Sequence, residues 1–80
     1  MAKYNGYRSW NAWNVALWLS NDEALYRLAE ECLNRYGGNL KQATNALMKE
    51  IGGKRTPDGA VYNQRCVHEA LEEIRWEMTP

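Results

Sequence analysis

The stretch Trp10-Asn-Ala-Trp-Asn-Val-Ala-Leu-Trp18-Leu19 constrains this chain more than any other. It places three of the four tryptophans close together in an 80-residue protein that has no phenylalanine. Each indole buries a large area for only two side-chain torsions. That economy matters here, because 80 residues is near the lower end of what folds alone on apolar burial. An aromatic cluster of this size must be the hub of a small core, a docking surface, or both. Trp10, Trp13, Val15, Ala16, Leu17, Trp18 and Leu19 would run nearly all round a helix. A helix apolar on most faces is expected at the centre of a bundle.

The rest of the chain punctuates into three further helices. Ser9 or Asn11 is placed to cap the first, which runs to about Ser20. Asn21 or Asp22 opens the second, with Asp22 and Glu23 near its positive end. Leu25, Leu28, Ala29, Cys32, Leu33 and Tyr36 then repeat at spacings of three and four, and Gly37-Gly38 ends the run. Asn39 with Gln42 resembles a capping box for a third helix, lined by Leu40, Ala43, Leu47 and Ile51 and stopped by Gly52-Gly53. Thr56-Pro-Asp-Gly59 has the residues of a tight turn. The last helix begins between Ala60 and Asn63 and turns Val67, Ala70, Leu71, Ile74 and Met78 inward. No repeat or strand alternation interrupts the pattern. The expected fold is all-α: one domain over residues 1–80, a compact bundle of about four short helices. An N-terminal arm covers residues 1–8 and a Gly/Pro-containing loop residues 52–60.

Charge and cysteine content narrow the function classes. Ten basic and ten acidic residues cancel, which argues against wholesale attraction to nucleic acid or acidic membranes. Cys32 and Cys66 lie inside helical patterns without framework spacing, as expected of reduced core thiols in a cytoplasmic protein. No apolar run is long enough to span a membrane, and the first residues lack the apolar region of a secretory signal.

Catalytic and cofactor motifs fail on inspection. Gly52-Gly53-Lys54 suggests a phosphate loop, but Met48 stands where the first glycine belongs and Arg55 where Ser or Thr belongs. It reads better as a helix stop and a mobile linker. Cys66 and His68 are two apart on a helix, so they point in different directions and cannot share a metal ion. His68 is the only histidine and has no identifiable acid–base partner. The expectation is therefore a protein that is not an enzyme, with no cofactor and no metal.

Two surface patterns compete for a binding role. Lys3, Tyr4, Tyr7, Arg8 and Trp10 interleave cations with aromatics, and Lys54 and Arg55 add a second positive spot. Single-stranded nucleic-acid sites use such mixtures, with rings stacking on bases and cations holding phosphates. The plainer reading folds Tyr4 and Tyr7 back to close the core. Against this stands an acidic stripe on the last helix, where Glu69, Glu72, Glu73 and Glu77 fall at spacings of three and four. Glu30 and Glu31 thicken the stripe if the second and fourth helices are neighbours. Such a stripe fits a basic groove on a partner, although many are only solvated helix backs. Trp76 lies off the inward row of the same helix, so it either anchors a partner or caps the core against a tyrosine.

Several of these residues also form a pattern. Asn5-Gly6-Tyr7, then Trp13-Asn-Val-Ala-Leu-Trp18-Leu19, then Asn21-Asp-Glu23, and later Thr56-Pro-Asp-Gly59 occur in order. The chain thereby resembles an uncharacterised family of small proteins carried by bacteriophages and prokaryotic mobile elements. Ala12 replaces a usual Thr and Ala24 a usual Gly. The resemblance implies a context more than a chemistry. Small phage-borne proteins commonly act by binding and blocking a host protein, as anti-CRISPR inhibitors do. The leading expectation is an inhibitor of a host defence complex, such as a CRISPR-Cas effector subunit, acting by protein–protein contact through Glu69, Glu72, Glu73, Trp76 and Glu77. The alternative is a small nucleic-acid-binding accessory protein using Lys3, Tyr4, Tyr7, Arg8, Lys54 and Arg55. A homo-oligomer is compatible with either.

Overall fold

A computed structural model describes residues 6–78, which form four helices in order: α1 (Trp10–Asn21), α2 (Glu23–Arg35), α3 (Leu40–Ile51) and α4 (Gln64–Met78). The Lys3 and Tyr4 of the basic–aromatic pattern lie outside the described residues. None of these helices is long and apolar enough to cross a membrane.

Local chemistry sets the boundaries. The Ser9 hydroxyl accepts from the Ala12 amide at 3.1 Å, the Asp22 carboxylate from Leu25 at 3.0 Å, and Asn39 from Gln42 at 2.9 Å. Each satisfies a helix-start amide that would otherwise lack a partner. At the end of α2 the Gly38 amide reaches back to the Leu33 carbonyl and the Gly37 amide to Asn34. That paired closure requires a left-handed residue, and Gly37 supplies it at φ 61°. Asn63 opens α4, its side chain accepting from the Cys66 amide at 2.8 Å.

The packing order differs from the one the tryptophan block suggests. α4 packs on all three other helices, and α2 does the same, whereas α1 and α3 stand on opposite sides of that pair without touching. The centre is built from aliphatic residues. Val15, Leu19, Leu33, Leu47, Val67, Leu71 and Ile74 are essentially inaccessible to solvent. No tryptophan belongs to the buried core: Trp13 and Trp18 are half-buried, Trp10 is 39% exposed and Trp76 80%. The tryptophans of the block therefore lie on a flank, and α1, which meets α2 and α4 but not α3, contributes Val15 and Leu19 to the core from one side. Its apolar circumference has a different cause. Ala12, Val15, Ala16 and Leu19 face the core, Tyr7 lines a depression with Trp13, Ala16 and Leu17, and the loop before α4 is hydrogen-bonded to Asn11, Asn14 and Trp18 on another side.

That loop, read from the sequence as a linker, carries hydrogen bonds of its own. The Gly53 amide donates to the Tyr62 carbonyl, the Tyr62 amide to the Lys54 carbonyl and the Thr56 amide to the Ala60 carbonyl, with one antiparallel bridge between Arg55 and Val61. The Gly59 amide closes the Thr-Pro-Asp-Gly turn on the Thr56 carbonyl at 2.9 Å, with Gly59 at φ 100°. Residues 53–62 thus form a miniature hairpin laid against α1.

Candidate functional site

Two polar assemblies tie the N-terminal part of the chain to the C-terminal part. The first joins α1 to the hairpin. Asn11 binds the Val61 backbone with both ends of its amide, accepting from the Val61 amide at 2.8 Å and donating to its carbonyl at 2.9 Å. One turn along, buried Asn14 accepts from the Thr56 hydroxyl at 2.6 Å and donates to Asp58 at 2.9 Å. Trp18 donates its indole N–H to the same carboxylate oxygen at 2.9 Å. Thr56 also accepts from the Ala60 amide at 3.0 Å. The hydrogen bond from Asn14 and then that from Trp18 hold the Asp58 carboxyl below its ordinary range. Among the described residues no buried side-chain polar atom lacks a partner.

The second assembly lies between the segment before α1 and the outer face of α4. The Tyr7 hydroxyl donates to Glu73. Arg8 pairs with Glu69 at 3.1 Å, both side chains well exposed, and Arg65 approaches Glu69 from one turn earlier at 4.0 Å. Burial of the ring, reinforced by the Glu73 hydrogen bond, pushes the Tyr7 phenol well above its usual value. A groove of about 430 Å³ opens here, lined by Gly6, Tyr7, Arg8, Glu69, Glu72 and Glu73. Glu72 and Glu73 also line an adjoining depression of about 360 Å³ with Arg75 and Trp76. Positions 69, 72, 73, 76 and 77 follow helical neighbour spacing, so Trp76 shares the acidic face.

A family model matches residues 1–79. The chain belongs to DUF7249, a family of unknown function. No curated protein and no solved structure matches it. Membership in DUF7249 agrees with the resemblance to an uncharacterised family, and it carries no activity with it.

The DUF7249 chain merges the two surface patterns read from its sequence. Tyr7 and Arg8, from the basic–aromatic pattern, are seated on Glu73 and Glu69 of the acidic stripe. Tyr7 does fold back onto the core. Arg55 turns its guanidinium onto the Gly59 carbonyl at 2.9 Å, and Lys54 is exposed on the hairpin. At the far end of the stripe Glu77 faces Tyr26, whose phenol is raised by burial, by Glu30 and by Glu77. α2 and α4 are neighbours, as a thickened acidic face requires.

The candidate chemical residues take ordinary places. Cys32 and Cys66 are free thiols in the core, and burial raises the Cys32 thiol. Cys66 accepts from Asn11 at 3.3 Å, and His68 Nδ1 meets the Thr44 hydroxyl at 3.4 Å. Among the described residues no group of three or more His, Cys, Asp or Glu could hold a metal ion.

Sequence reasoning missed the clamp of Asn11, Asn14, Trp18, Thr56 and Asp58. The signal was available: two asparagines three apart inside an apolar helix must find partners if buried. Their partners lie more than 40 residues away.

Proposed function

We propose that the DUF7249 chain is a non-enzymatic accessory protein that works by binding another protein through the outer face of α4. Trp76, 80% exposed beside Glu72 and Glu73, carries this reading. Trp76 is far more exposed than Trp10 at 39% or Tyr36 at 36%, and a large indole left in water is the kind of residue that anchors interfaces. The neighbouring carboxylates favour a partner with a basic surface and speed its encounter. In the context implied by the phage and mobile-element resemblance, the partner is a host defence complex, with a CRISPR-Cas effector subunit as the leading case, and the effect is inhibition by occupancy. The host cytoplasm is the matching compartment.

The nucleic-acid reading has a specific obstacle. Tyr7 and Arg8 would have to leave Glu73 and Glu69, and the carboxylates uncovered would face the incoming phosphates. The deciding experiment is affinity capture from host lysate with and without nuclease, using wild type and a Trp76→Ala/Glu72→Lys variant. The binding reading expects a nuclease-resistant protein that the variant loses while keeping its helical signal. Recovery abolished by nuclease would move the function to nucleic acid.

A further inference from the structure

The segment that precedes α1 holds a place on α4 that a basic partner would need. Arg8 sits on Glu69, and Tyr7 on Glu73, at sequence separations of 61 and 66 residues. The two contacts differ in character. The Tyr7 ring is half-buried and packs against the core, so it is anchored. The Arg8–Glu69 pair has both side chains about 40% exposed, where water and salt compete with the ion pair. Glu72, exposed between the groove and the Trp76 depression, lines both.

We propose that Arg8 is a built-in competitor for the α4 face, and that the partner's docking segment presents an arginine beside an aromatic residue, as Tyr7-Arg8 does. This rests on the protein-binding reading above and specifies the partner's chemistry. The complementarity is displayed at the surface: a guanidinium is what Glu69 accepts, and the exposed Trp76 ring beside Glu72 offers an aromatic face for the neighbour of an incoming arginine. An incoming arginine replaces Arg8 at Glu69, while its aromatic neighbour reaches Trp76 across Glu72. Apparent affinity is then lowered by the fraction of molecules whose Glu69 is already occupied.

The test uses the full chain and a synthetic peptide carrying two Tyr-Arg pairs, titrated while the amide signals of α4 and the Trp76 indole signal are followed by NMR. Arg8→Ala is expected to tighten the peptide by about threefold, the scale of releasing one exposed ion pair. Arg8→Gln serves as a second variant with a similar stem. Adding Glu69→Gln to Arg8→Ala is expected to abolish that gain. Binding at α4 with equal affinity in wild type and both Arg8 variants overturns the competitor while leaving the protein-binding reading intact. No α4 response in any of the folded variants overturns the proposed partner chemistry, and the capture experiment with Trp76→Ala/Glu72→Lys then judges the broader reading separately.

Discussion

The hairpin clamp and the α4 face perform the same topological task by different physics. Each joins the start of the chain to its end through side-chain hydrogen bonds. In the clamp, Asn14 and Thr56 are buried with their side-chain polar atoms matched, so removal of either leaves the other without its partner. At the α4 face, Glu72, Glu73, Trp76 and the Arg8 that meets it stand in or near water, which replaces a lost contact at little cost. Asn14 and Trp18 of the tryptophan block, with Thr56 and Asp58 of the turn, hold α1 to the hairpin. The proposed docking face on α4 lies apart from them.

The largest expected effect is at the buried end of this contrast. Asn14→Ala removes the acceptor of the buried Thr56 hydroxyl and one donor to Asp58, and it opens a hole at a buried position. It is expected to cost about 3 kcal/mol, read by urea unfolding. A loss below about 0.5 kcal/mol, the range of ordinary surface changes, would reduce the clamp to a decoration. Asn11→Ala gives up the paired hydrogen bonds to Val61 at the rim and should cost less, about 1–2 kcal/mol in the same assay.

Acid separates the two regions by titration. The Asp58 carboxyl is depressed in the folded state, so its contribution is fully present above its unfolded value of about 3.9 and is lost as pH falls through the lower folded value. Thermal unfolding of wild type should therefore lose stability below about pH 4 more steeply than that of Asp58→Asn. Parallel acid limbs would remove Asp58 from the account. Tyr7 gives the opposite sign. Its raised phenol value means stability that is complete below about pH 10 and declines as pH rises further, and Tyr7→Phe should flatten that alkaline decline.

The smallest stability effect is expected where the functional effect is greatest. Trp76→Ala should change unfolding free energy by no more than about 0.5 kcal/mol, since the ring is mostly in water. A larger loss would make Trp76 part of the fold. Reversing Glu69 to Lys would be a poor probe of docking, because the new cation would face Arg8 and Arg65; Glu72, exposed and outside those pairs, reports more cleanly.

Much of the fold was legible in the sequence because its signals are local. Ser9, Asp22, Asn39 and the Gly37-Gly38 stop act within one turn of where they stand, and the inward rows of α2, α3 and α4 follow directly from spacing. The position of α1 was not legible. All-round apolarity registers how much of a helix is covered, not what covers it, and one side of α1 meets a hairpin instead of a helix. The acidic stripe was visible as spacing on one helix. Its pairing with Tyr7 and Arg8 was not, because it depends on where the far end of the chain returns. The exposure of Trp76 lay between two equal readings until the packing of α4 decided it.

The most direct test of the division between clamp and docking face is site-specific photocrosslinking in nuclease-treated host lysate. A photoreactive side chain would replace either Trp76 on α4 or exposed Pro57 on the hairpin. A discrete protein adduct is expected from position 76 and none from position 57. An adduct from position 57 alone would contradict that division, and would make the hairpin the binding surface as well as the structural latch.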